Sequence, residues 1–547
     1  MQRESNKRKV NIEVSGYLPK KPVDMAVVLT LILFTFYYIW RVAYITPWYD
    51  ELYTYYYFIS RGPLYAAIHW PLPNNHVGYS VLSAILDMFS NPYIGLRGVS
   101  FICAIANNFL IFRIGRRFMN EWMAYIAMLL YFCCWQVNEL AVQGRGYTLA
   151  TTCFLVTVRQ LVIICRNENN RPVDHGLFAG AMVLGLYTIP SSIYWVIPTC
   201  VSAGIFLLVN GMRSFDRNEP LWYNRYFRKL RKLVITGLIA AGITFFLYLI
   251  IWLAIGSNLL VKDTSSTLYG MSHVSVILRH PLKTVVRGIS YMLSQPYIQS
   301  VSRHGFVLNY FAWLKDLTDR MYPISPLVTI IVVLMGLVIF IWEFVLEFKN
   351  SRTIFGLILV GNSIGFQIML FLQAKLPYYR VFSYMGVITA MSIAVFCEYA
   401  IINIKMLVDK RIKNVILKNV IPLFPIAFVV ALVIFSITNP SYYAQYGDRE
   451  AECYNALYVA DPSEDKKLCV LDCDQQYLLK FGFGIDCDNT DVYDCDYVLV
   501  DRNMMKEGYN GYDFWKFYQT YETLPWDYIN TEMHIFYENE YFVLYKN

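Results

Sequence analysis

Asp50 and Glu51 stand side by side in the stretch TPWYDELYTYYY, Thr46 to Tyr57. A carboxylate can take the proton of an attacking hydroxyl or hold a cation. Successive residues on a helix point about 100° apart, so the two cannot aim at one atom. They need separate tasks, one facing a reaction centre while the other holds a cation or a helix end. The plain alternative is an acidic helix start, with Thr46 and Pro47 as the entry signal. Other stretches carry isolated groups of complementary chemistry. His76 follows two asparagines in PNNHVGYSVL, Arg145 lies in NELAVQGRGYTL, and Lys375 and Arg380 lie in KLPYYRVFSY. Carboxylates, a histidine and isolated cations are the types that move protons and neutralise anions, provided that the chain brings them to one place.

The place is a membrane surface. The chain has 547 residues, 56% hydrophobic and only 16% charged, with a mean hydropathy of +0.38. A soluble protein of this length carries more charge and fewer long apolar runs. The apolar residues come in blocks of about 20, the length that spans a bilayer, and predict a polytopic α-helical membrane protein of about 11 spans. These are 24–46, 96–113, 121–139, 145–165, 177–190, 192–210, 233–256, 326–347, 353–372, 381–401 and 415–438. No small-residue cleavage site follows the first apolar run, which therefore reads as a span and not as a cleaved signal. Every second loop is basic, from Arg3, Lys7, Arg8 and Lys9 through Arg113, Arg116 and Arg117 to Arg228, Lys229, Arg231 and Lys232. Basic loops stay cytoplasmic, which predicts an inside N-terminus and an outside C-terminus. The apolar segment Val77–Ser90 is too short to cross and contains Asp87. It reads as a helix lying in the outer interface, because a crossing there would put every later basic loop outside. The predicted organisation is a cytoplasmic basic tail (1–23), a membrane region (24–438) with large outer loops at 47–95 and 257–325, and an outer α/β domain (439–547). On this topology Asp50, Glu51, His76, Arg145, Lys375 and Arg380 all reach the outer face, and the span interiors are nearly free of charge.

This order of elements resembles the GT-C membrane glycosyltransferases. The acidic pair after the first span, NNHVGYSVL before the interfacial helix and GRGYTL after the third span are similar to motifs of bacterial relatives of two enzyme groups. These are the dolichyl-phosphate-mannose–protein mannosyltransferases and the lipid A aminoarabinose transferase. Val77 and Gly78 stand where those relatives have Pro-Leu, and Val142-Gln143-Gly144-Arg145 stands in place of Glu-Ala-Arg. The resemblance covers residues 24–210 and, more loosely, 370–400. It implies a polyprenyl-phosphate-linked sugar donor and an extracytoplasmic acceptor that is a glycan, glycolipid or protein. It implies inverting transfer with Asp50 as general base and Glu51 in support, and places Arg145, Arg380, Lys375 and His76 against the donor phosphate. The guanidinium fork suits a phosphate; for His76, a loop histidine stacked among aromatics is the plain alternative. A single phosphate carries less charge than a pyrophosphate, so a divalent metal is admissible but not required, and no cofactor is assigned. The partners are donor, acceptor and bilayer, with no nucleic acid.

A lipid flippase or transporter is the competing reading. Such proteins carry ionisable residues in mid-span and broken repeats, and neither is seen. In the outer tail, Cys453, Cys469, Cys473, Cys487 and Cys495 stand apart from the cysteines of the spans, and three of them sit in a repeated Asp-Cys-Asp. Disulfides at strand-edge turns are the expectation, with a calcium or zinc site as the alternative. KKLCVLD, DYVLVD, MHIFYE and YFVLYKN read as strands and DFWKFYQTYETL as a helix. The chain has no Asn-x-Ser/Thr sequon with a permitted middle residue, which leans towards a bacterial plasma membrane.

The topology has a direct check. An impermeant thiol reagent added from outside is expected to label cysteines engineered at Ser60 and Ser300 and to spare one at Ser214. Labelling at Ser214 with protection at Ser300 would put the tail in the cytosol.

Overall fold

The computed structural model describes residues 21–68, 75–167, 170–215, 220–255, 279–283, 286, 297–299, 303–322, 326–346, 351–463, 466–513 and 515–547. The basic tail before residue 21 and most of the second outer loop, Ser300 included, lie outside them. Among the described residues, eight helices are long and apolar enough to cross a membrane: Pro22–Tyr44, Pro92–Gly115, Tyr147–Arg166, Pro190–Arg213, Arg225–Ile251, Thr353–Gln373, Met385–Arg411 and Val415–Thr438. Their starts are legible. Pro22 and Pro92 occupy first turns, where a missing N–H leaves no bond unmade. Asn91 caps its helix by accepting from Tyr93 N and Ile94 N at 3.0 and 3.2 Å. The long helices expose apolar side chains such as Leu29, Leu33, Phe36, Leu238 and Phe246, as a lipid-facing surface requires. Polar groups turn inward onto partners: Asn362 Nδ2 donates to Thr199 Oγ1 at 2.8 Å, and Asn107 Nδ2 to the Thr148 carbonyl at 3.1 Å.

The other expected spans are helices too, at Glu121–Cys133, Pro172–Thr188 and Pro326–Leu346. The segment expected as one span over 121–139 is interrupted. Its helix stops at Cys133 and restarts as Trp135–Ala141. The first amides of a helix need outside acceptors, and here a distant part of the chain supplies them: Trp135 N donates to Met321 O at 3.1 Å and Gln136 N to Arg320 O at 2.9 Å. The segment expected in the interface forms the helix Val77–Asp87, packed against Pro63–Ile68 and Pro92–Gly115. A two-stranded ribbon, β1 (Tyr297–Gln299) antiparallel to β2 (Leu376–Pro377), leads towards Arg380.

The tail carries a four-stranded sheet of β3 (Leu468–Cys469), β4 (Tyr497–Asp501), β5 (His534–Glu538) and β6 (Phe542–Lys546). The order is β3-β4-β6-β5, with β3 and β4 parallel and the other pairs antiparallel. All four segments read as strands form strands. The segment 513–524, read as a helix, does not form one. Its amides bond sideways, Phe517 N to Asn510 O at 3.0 Å and Tyr518 N to Leu471 O at 2.8 Å. Its aromatic spacing therefore serves separate partners and not one helix face. The disulfide expectation fails as well, because all twelve cysteines are free. Cys473 faces the Tyr49 hydroxyl, while Cys487 and Cys495 donate to the Leu468 and Val492 carbonyls.

The two carboxylates of the first Asp-Cys-Asp share an electrostatic partner. Asp472 and Asp474 both bind Arg449, from Nη2 at 2.7 Å and Nη1 at 2.6 Å, and Asp501 of β4 takes the Nε at 2.8 Å. Arg449 lies on the helix Asp448–Ala460, so one guanidinium ties that helix to the sheet and to the helix Cys473–Phe483. Removing the cation from a buried ion cluster strands its carboxylates. Arg449→Met is expected to cost about 3–5 kcal/mol, read as a lower apparent melting temperature and faster proteolysis of the tail. Wild-type resistance in that variant would show that the carboxylates need no cation.

Candidate active site

The two adjacent carboxylates part company in space. The short helix Tyr49–Thr54 points Glu51 inward, where it is fully buried. Arg97 meets it with two parallel bonds, Nε to Oε1 and Nη2 to Oε2, both at 2.9 Å. The same carboxylate accepts from Trp48 N at 3.0 Å and from Gly144 N at 2.5 Å. The third nitrogen of Arg97, Nη1, donates to the carbonyls of Val42 and Ile45, at 2.9 and 2.6 Å, near the end of the first long helix. Glu51 therefore joins the first helix, the second and the loop before Tyr147.

Asp50 takes the other direction. Its carboxylate lies 3.2 Å from Arg380 Nη1, and both side chains are about one-fifth exposed, at 19% and 23%. Both line a cavity of about 280 Å³. Beneath Asp50, Arg145 Nη1 donates to the Thr54 hydroxyl at 2.7 Å and to the Asp50 carbonyl at 3.2 Å. Arg145 Nη2 lies 3.4 Å from His76 Nε2, and His76 Nδ1 accepts from Gly146 N at 2.8 Å. The loop reaches these partners because Gly144 and Gly146 flank Arg145. A Cβ on Gly144 would meet the Leu96 side chain at 2.5 Å, and one on Gly146 would meet Thr188 Cγ2 at 2.4 Å. Burial first, then the Arg145 and Arg380 charges, push the His76 imidazole well below its ordinary pKa. It is neutral, and with Nδ1 accepting, its proton sits on Nε2. Two N–H donors, imidazole and guanidinium, thus lie side by side, an arrangement suited to a shared anionic acceptor.

The structure brings Asp50, Arg145, His76 and Arg380 together. Glu51 is one residue behind, inside the scaffold. Lys375 is half-buried just ahead of β2 and is not among the residues lining the cavity. Other cavity residues escape sequence reasoning. Gln136 and Glu139 arrive on the helix that restarts after Cys134, and Arg320 approaches Glu139 at 3.9 Å from the second outer loop. Trp48, Tyr378 and Trp515 supply aromatic walls, the last from the tail domain. Their one signal is that Glu139 and Arg320 flank predicted span ends on the Asp50 face. Gln136 Oε1, Gln143 Oε1, Arg380 Nε and Trp515 Nε1 are buried with no hydrogen-bond partner among the described residues. Buried polar atoms are rarely left so, and four of them around one cavity suit a ligand rich in hydroxyl groups.

Residues 76–224 match the family model described as dolichyl-phosphate-mannose-protein mannosyltransferase. The chain resembles the GT-C membrane glycosyltransferases. The matched stretch contains His76 and Arg145, while Asp50, Glu51, Lys375 and Arg380 lie outside it. No curated protein matches. Among solved structures, the archaeal oligosaccharyltransferase AglB from Archaeoglobus fulgidus, in complex with an inhibitory peptide and a dolichol-phosphate, is similar at 11% identity and TM-score 0.47. That match covers 88% of this chain and 70% of that one. The apo form of an Archaeoglobus fulgidus oligosaccharyltransferase is similar at 13% identity and TM-score 0.43, over 82% of this chain and 59% of that one. ArnT from Cupriavidus metallidurans in the apo state is similar at 9% identity and TM-score 0.46, over 95% of this chain and 98% of that one.

The state of His76 makes a pH prediction. Its folded pKa lies below the ordinary 6.5, so below about pH 6.5 the unfolded chain binds a proton that the folded one refuses, and stability falls as pH drops, by up to about 1.4 kcal/mol per unit. His76→Asn removes this contribution. Melting temperatures recorded from pH 7.5 to 5 are expected to fall more steeply for the wild type than for His76→Asn; parallel slopes would mean that His76 is protonated in the fold.

Proposed function

We propose that the protein is a membrane glycosyltransferase that moves a sugar from a polyprenyl-phosphate-linked donor to a hydroxyl of an extracytoplasmic glycan, glycolipid or protein. The observation that carries this reading is the placement of Asp50 in a cavity, 3.2 Å from Arg380, while its neighbour Glu51 is locked into the scaffold. The family match over residues 76–224 supports the donor class, the alternation of basic loops supports an outward site, and the missing Asn-x-Ser/Thr sequon with a permitted middle residue supports a bacterial plasma membrane.

In this reading Asp50 takes the proton of the acceptor hydroxyl as its oxygen attacks the anomeric carbon. The bond from that carbon to the phosphate oxygen breaks on the opposite side, so the configuration inverts. A phosphate leaves without needing a proton but gathers negative charge, which Arg380, Arg145 and the neutral N–H donor of His76 stabilise. Lys375 is the cation on the approach at headgroup level. Glu51 is a positioning residue, because its bonds to Trp48 N and Gly144 N set where Asp50 and Arg145 stand. Gln136, Gln143 and the ring of Trp515 hold the sugars. With several cations at hand, the scheme assigns no role to a divalent ion.

Asp50→Asn is expected to lower transfer by about 10²–10⁴, the usual contribution of a positioned base, while leaving donor binding intact. Near wild-type turnover in the purified variant would remove Asp50 as the base. Arg380→Ala and Arg145→Ala are each expected to weaken donor binding by about 1.5–3 kcal/mol, the range for a hydrogen bond to a charged group. Native mass spectrometry of the co-purifying lipid reads this directly, and unchanged retention in both variants would put the phosphate elsewhere.

A further inference from the structure

A larger cleft, of about 690 Å³, lies between the first outer loop and the tail domain. Tyr56, Tyr57 and Arg61 line one side, and Tyr477, Lys480 and Asp486 the other. It lacks the Asp50–Arg380 centre, so it is not where transfer occurs. It is nevertheless joined to that centre. Tyr49, Tyr53, Tyr57 and Arg61 recur every fourth residue, and residues four apart share a helix face. Trp515 stacks on Tyr49 with centroids 4.1 Å apart, Tyr49 lies 6.2 Å from Tyr53, and Tyr53 stacks on Tyr57 at 4.2 Å. Arg61 covers the outer ring at 5.5 Å. Trp515 and Tyr49 belong to the Asp50 cavity, and Tyr57 and Arg61 to the cleft. A row of rings therefore connects the two sites along about 12 Å of helix. Midway the helix widens into a π turn, Tyr55–Ile59, a departure often retained at functional sites. On the facing wall Tyr477 stacks on Tyr56 at 5.2 Å. Lys480 covers the Tyr56 ring at 5.6 Å and pairs with Asp486.

A row of tyrosines at a membrane surface is often just an interfacial belt. These rings differ in that Tyr56 and Tyr57 line a cleft whose facing wall is the tail domain. The chemistry of the walls selects the occupant. A lipid phosphate needs available cations, and both cations of the walls are engaged, Lys480 with Asp486 and Arg61 with the rings of Tyr57 and Tyr65 and the Tyr65 hydroxyl. A peptide that binds as an added strand needs a sheet edge, and these walls offer none, being the π turn and the helix Cys473–Phe483. A sugar ring offers an apolar C–H face and a rim of hydroxyls, which matches aromatic faces bordered by Gln476, Ser60 and mixed charges. Building on the glycosyl-transfer reading above, we propose that the cleft holds the distal sugars of an oligosaccharide acceptor whose terminal sugar lies at Asp50, with the tyrosine row guiding the chain between them.

The test uses the full-length protein in detergent with a fluorescently labelled, size-fractionated oligosaccharide pool released from the envelope of the producing cells. A pool of short peptides is the contrasting probe. Wild type and Asp50→Asn are expected to retain the longer oligosaccharides and neither single sugars nor peptides. Tyr57→Ala and Tyr477→Ala should each lower that retention about tenfold, the worth of one good aromatic contact, while Tyr477→Phe, which keeps the ring, retains the pool. Ser60→Trp fills the exposed cleft wall without touching the core and should also lower retention, with the co-purifying lipid unchanged. Peptide retention, absence of oligosaccharide retention, or equal retention by wild type, Tyr477→Ala and Ser60→Trp would overturn the proposal. If retention follows the cleft variants but no sugar ever moves from a polyprenyl-phosphate donor, the glycosyl-transfer reading fails and the binding site stands.

Discussion

The bidentate bond between Glu51 and Arg97 is the constraint on which the rest of the site depends. A charge buried this deeply is tolerated only when every lone pair finds a donor. Glu51 meets that demand with both guanidinium bonds and two backbone amides. Each donor comes from a different stretch: Arg97 from the helix Pro92–Gly115, Trp48 from the loop after the first helix, and Gly144 from the loop before Tyr147. Satisfying one carboxylate therefore fixes three backbone segments relative to one another. Arg97 extends the lock to the carbonyls of Val42 and Ile45, which the end of a helix leaves without intrahelical partners.

Once those segments are fixed, the cavity follows. Asp50 is one residue before Glu51 and about 100° around the helix, so burying one carboxylate presents the other. Arg145 is one residue after Gly144, and its guanidinium reaches back to the Asp50 carbonyl and Thr54. Gly146, one residue further, holds His76 by Nδ1. The glycines on either side of Arg145 in QGRGY have a physical reason, because a side chain at either would run into Leu96 or Thr188 and displace the amide that serves Glu51 or His76.

Much of this was legible in the sequence. The apolar blocks, the alternation of basic loops and the division of labour between Asp50 and Glu51 all follow from local rules of length, charge and helical angle. The four tail strands follow from their β-branched and aromatic content. What escaped depends on contacts distant in sequence. The break at Cys134 is stabilised by carbonyls of Arg320 and Met321, which no window around residue 134 contains. Glu139 and Arg320 consequently carry no local signal beyond their places near predicted span ends. The segment 513–524 has a helix-like aromatic pattern, but its amides are claimed by Leu471 and Asn510, and tertiary demand overrides local preference. The Asp-Cys-Asp repeats invited disulfides because spacing alone cannot reveal that two of their aspartates converge on Arg449.

That convergence also bears on the cavity. Arg449 faces Asp472, Asp474 and Asp501, with Glu450 buried beside them. A lone cation does not balance four carboxylates, so other donors share the load. Asp472 accepts from Asp474 N and Gln475 N as a helix cap, and Asp501 accepts from Asn503 N and the Tyr512 hydroxyl. Burial first, and Glu450 second, hold the Asp474 carboxyl well above the ordinary carboxylate range, which reduces the charge left to compensate. The guanidinium face remains, and it lies over Tyr512 at 4.7 Å and Trp515 at 5.4 Å. Tyr512 in turn stacks on Trp515, and Trp515 on Tyr49. The ion cluster that binds sheet to helices in the tail therefore also fixes the ring that closes the Asp50 cavity, so that wall is only as firm as the electrostatics of a domain whose described residues add an aromatic ring and no charge to the cavity lining.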